Sequence, residues 1–170
     1  MKKIVFLFTI FIALIMAVIP ITLYADEEPE VLFHDFRWKT KMDDFIAKMG
    51  NPVHREVANG FSSFIYKIND FYGYKAFMVA YFSKNGLEGG AYYFDTNNPD
   101  ELMKCYKDVQ KELFKKYGST DERNNEMRTY ESSWDFKSGY IHLKVNTKKN
   151  DPVTLWISFP PLTKMLDGEN

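Results

Sequence analysis

The sequence predicts an α+β fold, an antiparallel sheet with two helices on one face. Three observations carry that prediction. The last third alternates apolar and polar side chains, two amphipathic stretches at helical spacing each end on a glycine, and turn residues separate aromatic runs.

At the amino terminus, Met1-Lys2-Lys3 is followed by a run over residues 4–19 that is apolar except for Thr9 and by Pro20, and Leu23-Tyr24-Ala25 precedes Asp26-Glu27-Glu28. A cationic start, an apolar core, a helix breaker and a small residue before an acidic flank are the parts of a Sec-type signal peptide. Residues 1–25 are therefore read as a signal peptide and 26–35 as a flexible lead-in, with order beginning near Val31. Residues 36–162 are read as a single α+β domain and 163–170 as a tail. An uncleaved anchor is the competing reading, because the apolar stretch approaches the ~20 residues of a membrane-spanning helix. The acidic flank lacks the Lys/Arg cluster of a stop-transfer segment, so no stable membrane insertion is expected after cleavage. The expected location is periplasmic or secreted.

Thr40 followed by Asp43 predicts an N-cap with a capping-box-like acid. Met42, Phe45, Ile46 and Met49 then recur at helical spacing until Gly50, and Asn51-Pro52 stops the helix. Residues 61–68, 74–82 and 87–94 read as three antiparallel strands, with Asn69-Asp70 and Gly73 at the first turn and Lys84-Asn85-Gly86 at the second. The middle one is apolar on both alternations, which predicts a strand covered on both faces. Gly89-Gly90 would weaken or bulge the next strand. Asn98 before Pro99, Asp100 and Glu101 is a helix start. Leu102, Cys105, Tyr106, Val109, Leu113 and Tyr117 form one apolar stripe, and Gly118 closes the helix. Residues 119–126 are polar and read as a flexible connection. Three alternating strands follow, with Trp134 and Phe136, then Ile141, Leu143 and Val145, then Val153, Leu155 and Ile157 on the core side; Pro160-Pro161 ends the last. Helix then three strands, occurring twice, hints at a duplicated α-β-β-β unit.

Removing residues 1–25 takes away Lys2 and Lys3 and leaves 20 basic against 23 acidic side chains, a net charge of −3. That balance, without a basic stripe, argues against a nucleic-acid partner. Cys105 is the single cysteine, so no intramolecular disulfide or thiolate zinc site is available.

Phe36-Arg37-Trp38-Lys39-Thr40-Lys41-Met42-Asp43-Asp44-Phe45-Ile46-Ala47-Lys48-Met49-Gly50-Asn51-Pro52 resembles the helix-then-Gly-x-Pro opening of small exported α/β modules of two kinds. These are the BamE/SmpA-type outer-membrane assembly lipoproteins and the β-lactamase-inhibitor-protein-like domains. The resemblance implies a non-catalytic module that binds another protein through its sheet or loops. The assembly lipoproteins carry a lipidated Cys and the inhibitor proteins carry disulfides; this chain has neither.

His34, His54 and His142 show no metal-ligand spacing, and neither a metal nor a cofactor is expected. His34-Asp35 reads as a solvent-exposed pair. Cys105 lies in an apolar helix stripe and reads as core. Ser62-Ser63 and Ser132-Ser133 lie in strands without a Gly-x-Ser-x-Gly elbow, and the glycines over 86–90 suit a hairpin better than a phosphate. Carboxylates are plentiful, so an envelope hydrolase acting on peptidoglycan or peptides is the rival class, although no pair is singled out.

The candidate binding site is the outward face of the last three strands. A turn at Ser138-Gly139 places Phe136 opposite Ile141, Trp134 opposite Leu143 and Asp135 opposite His142; Trp156 then sits opposite His142 or Lys144. Asp135, Tyr140, His142, Lys144 and Trp156 form a row that resembles a protein-binding hot spot. The alternative is that Trp156 is covered by the amino-terminal segment or a loop. The functional expectation is an exported, non-catalytic protein-binding module with a partner in the cell envelope or outside the cell.

Overall fold

The computed structural model describes residues 28–58, 60–96, 98–124, 128–149 and 151–159. The expected signal peptide, the Pro160-Pro161 stop and the expected tail lie outside the described residues. The elements are α1 (Met42–Met49), β1 (His54–Ala58), β2 (Phe61–Phe71), β3 (Tyr74–Ser83), β4 (Gly86–Phe94), α2 (Pro99–Tyr117), β5 (Asp121–Asn124), β6 (Thr129–Phe136), β7 (Gly139–Asn146) and β8 (Asp151–Ser158). All eight strands join one antiparallel sheet in the order β1-β2-β3-β4-β8-β7-β6-β5, an α+β fold. No described helix is long and apolar enough to cross a membrane.

Each helix is followed by a four-stranded meander, and the two meanders meet where β4 pairs with β8. The expected three strands per helix therefore omitted β1 and β5. Both are edge strands in which every residue is exposed, so no buried alternation marks them; backbone pairing to β2 and β6 defines them instead. The stretch expected as a flexible connection, 119–126, holds β5. Asn69 and Asp70 likewise lie inside β2, at a break in register, and the turn is made by Tyr72 and Gly73, both at positive φ.

The helix ends follow local chemistry. Asn98 Oδ1 accepts the Glu101 amide at 2.8 Å, and the six-residue stripe of α2 is buried along its whole length. Gly50 and Gly118, both at φ +80°, donate to the carbonyls of Ile46 and Phe114 and stop their helices. At the start of α1 the N-cap is Lys41 without a side-chain bond, because the Thr40 hydroxyl donates to the Arg37 carbonyl at 2.7 Å instead.

Phe64, Met78, Ala80, Tyr92, Leu143 and Leu155 share the buried alternation of the sheet and pack in one cluster with Phe45 of α1 and the stripe of α2. Phe45 meets Phe82 edge-on at 5.2 Å, and the Trp134 indole N–H donates to the Gly118 carbonyl at 3.0 Å. The expected flexible lead-in needs correction, since Val31 and Phe33 are fully buried members of this core. They belong to a strap (residues 28–40). At one end the Val31 amide donates to Ser138 Oγ; at the other, Lys39 and Leu87 exchange bonds across the β3–β4 turn, Lys39 N–H to Leu87 carbonyl and Leu87 N–H to Thr40 carbonyl. Burying a phenylalanine contributes about 1.5–3 kcal/mol, and burial of Val31, Phe33 and Phe36 together with these bonds offsets the cost of ordering a segment that is acidic and proline-broken at its start.

β3 is also corrected. Ala76, Met78, Ala80 and Phe82 are buried, but Phe77 is 42% exposed and Val79 and Tyr81 are only half-buried, so the strand is covered on one face and not on both.

Candidate functional site

Strand register lays the alternation opposite the core out as rows. One row runs His54, Ile65, Val79, Ala91, Trp156, His142, Ser133, Asp121 from edge to edge. On one side of it lie Phe77, Tyr93, Thr154, Lys144 and Glu131; on the other lie Tyr81, Gly89, Ser158, Tyr140 and Asp135. Apolar and aromatic side chains thus occupy the middle strands, and charged ones occupy β6 and β7.

The middle is built around Trp156, which is 38% exposed. Its ring lies parallel to Tyr81, with 6° between planes and 5.9 Å between centroids, and edge-on to Tyr93 at 6.4 Å. Tyr81 sits two strands away on β3. The two rings approach each other because the residues between them on β4 are Gly89 and Ala91, which raise no bulky side chain on this face. Burial first, then the neighbouring Tyr93, pushes the Tyr81 phenol up to about 12. Each ring pair stabilises this arrangement by about 0.5–1.5 kcal/mol, so the indole is held in place before anything binds it.

All five residues expected at the site lie on this face, but their pairing differs from expectation. The β6–β7 turn is Lys137-Ser138, with Phe136 opposite Gly139. The register moves by two residues as a result. Trp134 faces Ile141, Asp135 faces Tyr140 and Ser133 faces His142, whereas Trp156 does sit opposite His142. A two-residue shift leaves every side chain on its face, which is why the set survives while the neighbours change. The Tyr140 ring stands 6.1 Å from the His142 ring. Lys144 Nζ reaches Glu131 Oε1 at 2.8 Å, and this bond first of all holds the Glu131 carboxyl below its usual range. The His142 imidazole is lowered by burial, against the opposing field of Glu131 at 4.0 Å.

Ser133, His142 and Glu131 lie together, yet their geometry does not make a charge-oriented nucleophile. The carboxylate is taken by Lys144, not by the imidazole, and the strand amides here belong to a β-ladder and do not converge on a common point as an oxyanion hole would. The aromatic members Phe77, Tyr81 and Tyr93 were missed by sequence reasoning. The available signal was an apolar strand on both alternations, read as double coverage.

Elsewhere, Cys105 is fully buried and burial pushes its thiol up to about 12, so it presents no thiolate at neutral pH. His54 is exposed on an edge strand. His34, expected to be solvent-exposed, is half-buried and hydrogen-bonds with Tyr92. Among the described residues no group of three or more His, Cys, Asp or Glu is placed to hold a metal ion. A cleft of about 580 Å³ lies between α2 and the β5–β6 hairpin, walled by Tyr106, Gln110, Arg123 and Tyr130.

No protein-family model matches the sequence, and no curated protein does either. Among solved structures, the chain is similar to YjgB, a DUF4309 family protein of Bacillus subtilis subsp. subtilis str. 168, with 15% identity over 73% of this chain and 81% of that one and a TM-score of 0.45. It is also similar to an extracellular protein containing an SCP domain from Bacillus anthracis str. Ames, with 13% identity, 74% of this chain covered and a TM-score of 0.42. This chain spans 44% of the length of that second protein.

Proposed function

We propose that this is an exported, non-catalytic protein-binding module in which both helices and the strap cover one face of the sheet and a protein partner docks on the other. The apolar run at residues 4–19 supports export, to the periplasm or out of the cell. The observation that carries the docking face is the preassembled Tyr81, Trp156 and Tyr93 cluster, half-exposed at the centre of a sheet face whose β6–β7 side is charged. An aromatic anchor fixed in advance loses little conformational freedom on binding, and a polar rim of Lys144, Glu131 and Asp135 supplies orientation; both are features of binding hot spots. Phe77, exposed beside Tyr93, extends the apolar centre. Neither a cofactor nor nucleic acid enters this reading. The resemblance of residues 36–52 to exported binding modules points the same way.

The test compares wild type with Trp156→Ala, measuring capture of a stoichiometric partner from envelope extract alongside thermal unfolding. The expected result is a fall in affinity of about 30-fold or more, the scale of a hot-spot truncation, with a loss of stability no larger than the two ring pairs account for, about 1–3 kcal/mol. A large drop in melting temperature with affinity unchanged would assign Trp156 to the fold instead. Turnover of peptidoglycan or peptide by the purified protein would replace the binding module with an envelope hydrolase.

A further inference from the structure

The strap is pinned at its start by the Val31 amide on Ser138 Oγ and by the Glu28 carboxylate on the Lys137 amide, and at its end by backbone bonds to Leu87, but its middle rests on an imidazole. His34 and Asp35 make a turn in which both residues are left-handed, at φ +50° and +64°, closed by the Phe33–Phe36 bridge. His34 Nδ1 lies 2.9 Å from the Tyr92 hydroxyl, and its ring stands 6.1 Å from Tyr92 and 6.4 Å from Phe71. Tyr92 is fully buried, with Phe71 stacked on it at 3.9 Å, so its hydroxyl relies on a protein partner and not on solvent.

We propose that His34 is an acid-sensitive latch: protonation of its imidazole releases the turn of the strap from Tyr92 and Phe71 while the sheet stays folded. With its proton on Nε2, the neutral imidazole accepts the Tyr92 O–H at Nδ1; an imidazolium can only donate at that nitrogen, which leaves the buried hydroxyl proton without its acceptor. The turn is primed to leave because two consecutive non-glycine residues hold left-handed φ, a conformation kept only while the surroundings enforce it.

The groups around the ring set the sign. Asp35 on the turn favours the charged form, and Lys48 of α1 opposes it. Tyr92, Tyr72 and Tyr117 face the site from β4, the β2–β3 turn and α2, with Glu112 behind Tyr72. Burial raises Tyr72 and Tyr92, so both stay neutral in this range. Burial is the largest influence on His34 and holds it below its ordinary 6.5. A depressed histidine stabilises the closed turn above about pH 6.5 and loses that contribution as the pH falls through 6.5 toward its folded value. Each unit of depression changes the opening constant by up to about tenfold.

The test is an NMR titration of the His34 ring together with amide hydrogen exchange of residues 31–39 at roughly pH 7.5 and 5, corrected for intrinsic exchange rates. The expected result is a His34 midpoint below 6.5 and faster strap exchange in acid by about tenfold per unit of depression, with β7 and β8 still protected. In His34→Asn, whose side-chain amide overlays Nδ1 and tolerates the left-handed turn, the acid response should vanish. A midpoint at or above 6.5, an acid response that persists in His34→Asn, or equal loss of protection in β7 and β8 would overturn the latch. Should His34→Asn fail to fold, the wild-type midpoint and the location of its exchange response decide alone.

Discussion

Replacing Gly90 by alanine should destabilise the protein through Phe33, a residue 57 positions away in a segment that reads from sequence as a lead-in. A Cβ built on Gly90 would lie 2.0 Å from Phe33 Cζ, 2.3 Å from Cε2 and 2.6 Å from Cε1. Carbon atoms settle at about 3.5–4.0 Å, so the ring must retreat by about 1.5 Å. It has little room, being fully buried, tilted against Tyr92 at 5.4 Å and fixed by two backbone bonds to Phe36 at 3.1 and 2.9 Å. Overpacking costs about 1–3 kcal/mol when a core yields, and losing the ring outright approaches the 3–5 kcal/mol of a Phe→Ala truncation. We therefore expect Gly90→Ala to cost about 2–4 kcal/mol, or roughly 8–16 °C in melting temperature. Urea unfolding of Gly90→Ala, Phe33→Ala and the double variant closes a cycle. With the ring gone the added methyl should cost close to nothing, giving a coupling of about 1.5 kcal/mol or more. If Gly90→Ala costs the same in both backgrounds, Phe33 is not seated on Gly90 and the strap is not part of the core.

Cys105 should resist thiol reagents in the native protein, because a thiol raised to about 12 by burial is ionised to only about one part in 10⁵ at neutral pH. Labelling should follow global unfolding in urea, and rapid labelling under native conditions would contradict the packing. Ser132→Ala should cost about 1–2 kcal/mol by equilibrium unfolding, since the fully buried hydroxyl meets Tyr106 Oη at 2.6 Å and Gln110 Nε2 at 2.8 Å. Adding Tyr106→Phe should then cost less than it does in the wild type; additivity would mean that the two hydroxyls act independently.

The elements legible in the sequence are those whose side chains divide cleanly between core and solvent. The stripe of α2 and the alternation of β6 to β8 are of this kind, and of the core residues named there all but Phe136, which is half-buried, are buried in the structure. β1 and β5 were illegible because nothing on them is buried; only backbone pairing makes them strands. The strap was illegible for the opposite reason. Val31 and Phe33 stand among acidic residues and a proline, and the spaces they fill are created by glycines far along the chain, where a Cβ at Gly139 would come within 2.8 Å of Val31. Composition of a short window cannot express a fit between residues a hundred positions apart. The candidate site divides in the same way. Its β7 and β8 members follow from alternation, whereas the rings of Tyr81 and Tyr93 meet Trp156 only after the two meanders join at β4 and β8.

That junction explains why β3 misled. Apolar residues on both alternations of a strand ordinarily mean two covered faces, and here one alternation packs in the core while the other carries Phe77, Val79 and Tyr81 on the face around Trp156. Solvent exposure of such side chains forgoes about 25 cal/mol for each Å² of apolar area that burial would take from water, and β5, which is Asp121 to Asn124, shows that a strand can join this sheet with polar residues alone. Tyr81 and Trp156 shelter each other in part by stacking across Gly89 and Ala91, which leaves a ring edge and Phe77 presented to solvent. Under the proposed function, the second apolar alternation of this central strand serves a second interface and not a second core. On that account the strand meets the strap and helices through one set of side chains and the proposed partner through the other.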